Sequence, residues 1–166
     1  VFISDIINIS GIGEGHMEEK IMDIIEAQEN PTVAPYAKEH GLTLRVTASA
    51  RTEQEARSLL EPVVKKICDR LGMDVYAIGD TTLEAVVASL LIEQNLSISV
   101  AESCSGGLLA GRLINYPGIS KVFKEGFITY SNESKINTLG VDYKILSNYG
   151  AVSEEVAKQM AKGAAN

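Results

Sequence analysis

The chain is short of basic residues for its acidic ones, with fifteen Lys and Arg against 22 Asp and Glu and a formal net charge of −7. That balance repels a phosphate backbone, so nucleic acid is not an expected partner. Long apolar runs are missing too. Stretches such as AVVASLLI, Ala85 to Ile92, fall far below the roughly 20 residues a membrane-spanning helix needs, and no membrane segment is expected. Only two cysteines occur, Cys68 and Cys104, in neither a zinc nor a Cys-x-x-Cys redox spacing. With no charged-then-apolar leader in view, reduced thiols in a cytoplasmic protein are the expectation. Histidine is as scarce. His16 and His40 both lie in the first half, which removes a Ser-His-Asp triad from the second. Internal repeats and low-complexity segments are lacking as well.

What is present, 45% hydrophobic and 22% charged residues over 166 positions, suits a soluble globular protein of one large or two small domains. Residues 1–78 read as an α+β domain. The extended VFISDIINIS precedes a helix over Glu14–Gln28 whose apolar face is Met17, Ile21, Ile24 and Ile25. Pro31 and Pro35 then bar a helix. In LTLRVTASA, Leu42, Leu44, Val46 and Ala48 alternate with polar residues, the period of a half-buried strand. Thr52 and Glu55 form a capping box for a long helix that Pro62 should bend and Gly72 should end, before the closing strand DVYAI.

Gly79 and Asp80 mark the border with a second domain over 79–166. A Thr81–Glu84 capping box opens a helix with Leu83, Val86, Val87, Leu90 and Leu91 on one face, stopped at Asn95. LSISVA and GFITY read as strands, with a helix from Ser105 to about Asn115 between them. Asn132 is the expected cap of a short helix ending at Gly140, and Ser153 that of the terminal helix. The chain opens on Val1 and its last ten residues still read as helix, so a fragment of a longer protein is expected.

The stretch SVAESCSGG, residues 99–107, leads from strand to helix with two glycines. Such a turn presents unpaired N–H groups and the positive end of a helix dipole, a setting for an anion or a developing oxyanion. Gly106 and Gly107 serve close helix packing equally well. The stretch is neither a Walker loop nor a G-x-S-x-G elbow. Ser103, Cys104 and Ser105 are all potential nucleophiles, and the turn by itself does not rank them. Without a nearby histidine, the route to a base is a lysine that gives up its proton. Lys135 in TYSNESK sits in the first turn of its helix, where the dipole disfavours a positive charge, and Tyr130 stands close enough in sequence to orient or relay a proton. A solvated surface lysine and a core-edge tyrosine are the plainer alternative.

Taken together, AESCSGG, NYPGISKVFKEGFITYSNESKINTLGV and GAVSEEVAKQMAKGA resemble the CinA (competence/damage-inducible) family, and within it the C-terminal nicotinamide-nucleotide amidase domain. GIGEGHMEEKI, NPTVAPYA and LTLRVTASA resemble the same family's middle, KH-type domain. The resemblance implies an α/β fold, with a three-layer amidase domain that continues past residue 166 and is truncated here. It implies hydrolysis of the carboxamide of nicotinamide mononucleotide to nicotinate mononucleotide and ammonia, in pyridine-nucleotide salvage. The family's nucleophile falls on Ser103, its lysine base on Lys135 and its assisting tyrosine on Tyr130. Backbone amides around Ser105, Gly106 and Gly107 are the implied oxyanion or ligand contacts, with Ser105 as the first residue of the helix. Cys104 ranks last, as a small thiol expected to be buried.

No metal or cofactor is implied for the amidase step, and the substrate is a small nucleotide. The middle domain lacks a basic Gly-x-x-Gly clamp in GIGEG and reads as an interdomain or dimer-building module, which makes a homo-oligomer the expectation. By itself the truncated piece is expected to be inactive. The contrasting expectation is a nucleotide-binding or assembly module without catalysis, its 103–107 turn holding a phosphate.

Overall fold

The computed structural model describes residues 1–38 and 41–166, and Glu39 and His40 lie outside the described residues. The chain divides into two units, 1–86 and 87–166. In the first, the alternating LTLRVTAS segment is a strand, β3 (Gly41–Ser49). It lies between β1 (Phe2–Ile9) and β2 (Thr32–Lys38), antiparallel to both, and β1 also pairs with β4 (Val75–Ile78). The order is β2-β3-β1-β4. Helices α1 (Glu14–Glu26) and α2 (Glu53–Leu71) are the crossovers, giving the βαββαβ order of the split βαβ, ferredoxin-like arrangement. Pro35 sits in β2, an edge strand, where a missing ladder donor is tolerated.

One face of this sheet carries the core. Ile7, Ile9, Leu44, Val46 and Ala48 from the strands meet Met17, Ile21 and Ile24 of α1 and Ala56, Leu60, Val64 and Ile67 of α2. The capping box is present, with Glu55 N–H donating to Thr52 Oγ1 at 3.2 Å and Thr52 N–H to a Glu55 carboxylate oxygen at 3.3 Å. The helix runs through Pro62 as one element and ends at Gly72. Leu60 is fully buried, so Leu60→Ala is expected to lower unfolding stability by about 2–5 kcal/mol in urea titration. A loss below about 1 kcal/mol would mean that α2 is not seated on the sheet.

The second unit is α/β in layers. Strands β5 (Ile98–Glu102) and β6 (Phe123–Ile128) are parallel and are joined through α4 (Leu108–Ile114). On one side, Ala88, Leu91 and Ile92 of α3 (Leu83–Glu93) cluster with Ile119, Val122 and Phe123. On the other, Ala101 and Phe127 pack against a core of Leu139, Val141, Leu146, Val156, Met160 and Ala164. That core comes from α5 (Asn132–Leu139), α6 (Tyr143–Tyr149), α7 (Glu154–Ala165) and the loop between α5 and α6.

Several boundaries differ from the sequence reading. The cap of α3 is Thr82, whose Oγ1 accepts the Ala85 N–H at 3.2 Å, one residue beyond the expected Thr81. Ser131 caps α5 in place of Asn132, accepting from Ser134 N–H at 3.0 Å. The strand read as GFITY begins at Phe123 and stops at Ile128. Helix α6, capped by Asp142, was not expected. Among the described residues no helix is long and apolar enough to cross a membrane.

Candidate active site

Parallel strands joined by a crossover deliver their carboxyl ends to the same edge, where open α/β sheets hold reactants. Here Ser103 leaves β5 and Thr129 and Tyr130 leave β6. The two ends are tied together by the Thr129 N–H, which donates to the Glu102 carbonyl at 2.9 Å. Helix α5 starts directly after, and its fourth residue is Lys135.

Lys135 is 1% exposed, the bulkiest fully buried side chain among the described residues. Its Nζ lies 2.8 Å from the Thr129 carbonyl oxygen, 3.0 Å from that of Tyr130 and 3.0 Å from Ser103 Oγ. The two carbonyls can only accept, so Nζ must donate to both. Ser103 is the one partner able to reverse its role. An ammonium donates a third hydrogen to Ser103, whereas a neutral amine turns its lone pair to the Ser103 hydroxyl and receives that hydrogen. The same three contacts therefore accommodate both protonation states, and a proton can pass between Oγ and Nζ without any heavy atom moving.

Glu102 was not singled out in the sequence, yet its carboxylate organises the turn. It is 4% exposed and accepts backbone N–H bonds from Gly107 at 3.1 Å, Leu109 at 3.0 Å and Ala110 at 2.8 Å. The Ser105 hydroxyl donates to it as well. Burial alone would raise its pKa, but those hydrogen bonds outweigh burial and hold the carboxyl below its ordinary value of 4.5. The sign follows from that direction. A carboxylate stabilised in the folded state contributes stability that is fully present above about pH 4.5 and disappears as pH falls through the lower folded value. In acid titration of unfolding, Glu102→Gln is expected to lack this component, with a flatter loss of stability below pH 4.5; an unchanged slope would mean that the carboxylate is not held in this way.

The turn itself corrects the expected helix start. Residues 103–107 are bend and turn, and α4 begins only at Leu108. Gly107 precedes it with φ of 99°, in the left-handed region, and an added Cβ would stand 2.9 Å from Ile128 Cδ1. Ser105 is therefore outside the helix. The Gly106 N–H donates to the Ser103 carbonyl at 3.1 Å and the Gly107 N–H to Glu102, so both glycine amides are engaged within the protein. Cys104 and Ser105 differ. Among the described residues their amides have no hydrogen-bond acceptor, which leaves two adjacent donors beside Ser103.

Tyr130 reaches the site through its backbone carbonyl, while its side chain is 75% exposed and lies past the end of β6. Cys104, expected to be buried, is exposed. Burial, with help from the Asp69 charge, pushes the Cys68 thiol up, as suits an unreactive thiol. Among the described residues no three His, Cys, Asp or Glu side chains gather to hold a metal ion.

The second unit is thus an α/β unit in which a serine hydroxyl meets a buried lysine at the carboxyl ends of parallel strands. The sequence profile of the CinA C-terminal domain matches residues 80–166, and that of the damage-inducible protein CinA KH domain matches residues 4–77. The chain belongs to the CinA family. It is 61% identical over 165 residues to a competence-damage inducible protein of Alkaliphilus metalliredigens, covering 99% of this chain and 40% of the relative. Against that of Alkaliphilus oremlandii it is 58% identical over 162 residues, covering 98% and 39%. A solved competence/damage inducible protein from Agrobacterium tumefaciens is 44% identical over 49% of this chain and 50% of its own, with a TM-score of 0.49. The chain thus spans about two fifths of the length of the Alkaliphilus relatives.

Proposed function

We propose that this chain carries the nucleophile and base of an amidohydrolase that converts the carboxamide of nicotinamide mononucleotide to the carboxylate and ammonia. The observation that carries the reading is the 3.0 Å approach of buried Lys135 Nζ to Ser103 Oγ, with both remaining Nζ contacts on obligate acceptors. The choice of substrate rests on the resemblance to the CinA amidase domain.

In this reading Ser103 Oγ forms a bond to the amide carbon as its proton passes to Lys135 Nζ. The carbonyl oxygen takes up negative charge and is met by the free amides of Cys104 and Ser105; a lost donor of this kind costs roughly 3 kcal/mol in other enzymes. Collapse of the adduct breaks the carbon–nitrogen bond, with Lys135 returning the proton to the departing nitrogen so that ammonia leaves. Water then adds to the acyl ester, Lys135 accepts its proton, and the carbon–Oγ bond breaks to give nicotinate mononucleotide and to reprotonate Ser103.

The contrasting reading, a phosphate held by the 103–107 turn without catalysis, is weakened by Glu102. The α4 amides that would meet a phosphate already meet the protein's own carboxylate. The test is ammonia release from nicotinamide mononucleotide by the full-length polypeptide, with calorimetry in parallel. Product formation supports the amidohydrolase. Binding without product over hours favours the non-catalytic module.

A further inference from the structure

We propose that Glu102 is the positioning residue of this site, one residue that fixes both halves of the Ser103–Lys135 pair. The proposal rests on the amidohydrolase reading above. Its side chain holds Gly107, Leu109 and Ala110 at 2.8–3.1 Å and so sets the course of the turn that begins at Ser103. Its carbonyl receives the Thr129 N–H at 2.9 Å, and the Thr129 carbonyl in turn accepts from Lys135 Nζ at 2.8 Å. The nucleophile's turn and the base's acceptor are thus both fastened to residue 102.

Strand alternation makes this arrangement available. Successive residues of a strand point to opposite faces. Glu102 sends its carboxylate to the α4 side, and the next residue, Ser103, meets Lys135 of α5. The choice of glutamate also has a physical reason. The residue before α4 is Gly107, which has no side chain to cap the helix. A serine or aspartate at that position would satisfy one or two amides locally but would have to adopt the left-handed φ of 99° found there. A carboxylate reaching over from the strand caps α4 from outside the turn. No side chain of residues 103–106 is then needed to accept an α4 amide, the Leu108 N–H going to the Ser105 carbonyl at 3.0 Å, and among the described residues the Cys104 and Ser105 amides have no acceptor. Burying a carboxylate is costly unless it is fully hydrogen-bonded, and a helix cap alone is obtained more simply, so the arrangement points to the turn and not only to α4.

Glutamine is close to isosteric but sets an NH2 donor against backbone N–H donors, so the turn should shift. Displacements near 1 Å at a reacting group cost on the order of 100-fold in rate. In the full-length polypeptide, Glu102→Gln is expected to reduce kcat for ammonia release by about 100-fold with KM changed less than about threefold, and Glu102→Asp, which keeps the charge with a shorter reach, by about tenfold. Ser103 reactivity is read independently by the rate of covalent labelling with a fluorophosphonate, located by mass spectrometry, and should fall in the same proportion.

A purely structural role would lower the unfolding midpoint and leave kcat and labelling of the folded protein unchanged, and that outcome overturns the proposal. If Glu102→Gln does not fold, Glu102→Asp decides: wild-type labelling refutes positioning, slowed labelling supports it. Full ammonia release by Ser103→Ala would instead remove Ser103 as the nucleophile, and with it the pair that Glu102 is proposed to position. Should the unsubstituted protein release no ammonia, labelling of Ser103 in the Glu102 variants still tests the positioning role.

Discussion

Ser103→Ala is expected to cut ammonia release from nicotinamide mononucleotide by at least about 1,000-fold while leaving the folded protein as stable as before, and Lys135→Ala is expected to do both kinds of damage. The asymmetry follows from what each side chain satisfies. Removing the Ser103 hydroxyl leaves Lys135 Nζ on the carbonyls of Thr129 and Tyr130. Removing Lys135 leaves those two carbonyls without that donor and opens a cavity at a position 1% exposed. Each unsatisfied buried group costs roughly 1–3 kcal/mol. Lys135→Ala should therefore lower stability by at least about 2 kcal/mol, seen as an earlier midpoint in urea, as well as abolish turnover. Equal stability of the two variants would show that Lys135 is not held by the strand-end carbonyls, and near-normal turnover in either would remove that residue from the chemistry.

The second large effect is expected far from the reacting atoms, at Gly163→Ala. In a helix interior alanine ordinarily gains about 1 kcal/mol over glycine. Gly163 in α7 is different because the chain of α5 passes directly beside it. A Cβ there would lie 2.8 Å from the Leu139 carbonyl carbon and 2.9 Å from its Cα, and closer still to the carbonyl oxygen. These are backbone atoms, so no side-chain rotation relieves the overlap. Helix α7 must withdraw from α5, and α5 carries Lys135. A loss of about 3 kcal/mol is expected, the upper range for overpacking, accompanied by reduced turnover in the fraction that remains folded. Denaturant unfolding checks it. A stabilised Gly163→Ala would mean that helix propensity outweighs the contact and that the two helices are not so close.

The parts of the fold that were legible in the sequence are those governed by local spacing. The alternation through Leu42, Leu44, Val46 and Ala48 became β3, and the Thr52–Glu55 pair formed its two reciprocal bonds. Where two neighbouring residues can do the same job, spacing did not decide. Thr81 and Thr82, like Ser131 and Asn132, are all capable caps, and in each pair backbone geometry selected one. The start of α4 was misplaced for a different reason. Ser105 is an acceptable first helical residue on propensity alone, but the Glu102 carboxylate takes the amides of residues 107, 109 and 110 and delays the helix to Leu108. The signal available was an acidic residue ending an apolar strand, followed by a helix start with glycine where a capping side chain normally stands. Ser103 and Lys135 were visible as types and by resemblance, whereas their approach depends on β5 and β6 being parallel, which no local pattern states. Tyr130 contributes a carbonyl, an atom that every residue type carries, so side-chain chemistry could not reveal that role.

The two units close their sheets over very different lengths of chain. In the first, β1 is complete only when β4 pairs with it, joining Ile7 to Ile78, 71 positions apart. In the second, β5 and β6 bring Glu102 to Ile128, 26 positions apart. Ring-closure entropy grows only with the logarithm of length, so the longer loop is disfavoured by about 0.9 kcal/mol. The order of events differs more than the energy. On a chain emerging from its amino end, the earliest strand of the first unit waits for the last one before its sheet is whole, while β5 and β6, whose ends lead to Ser103 and to the carbonyls that hold Lys135, meet once α4 and a single 3-10 turn lie between them.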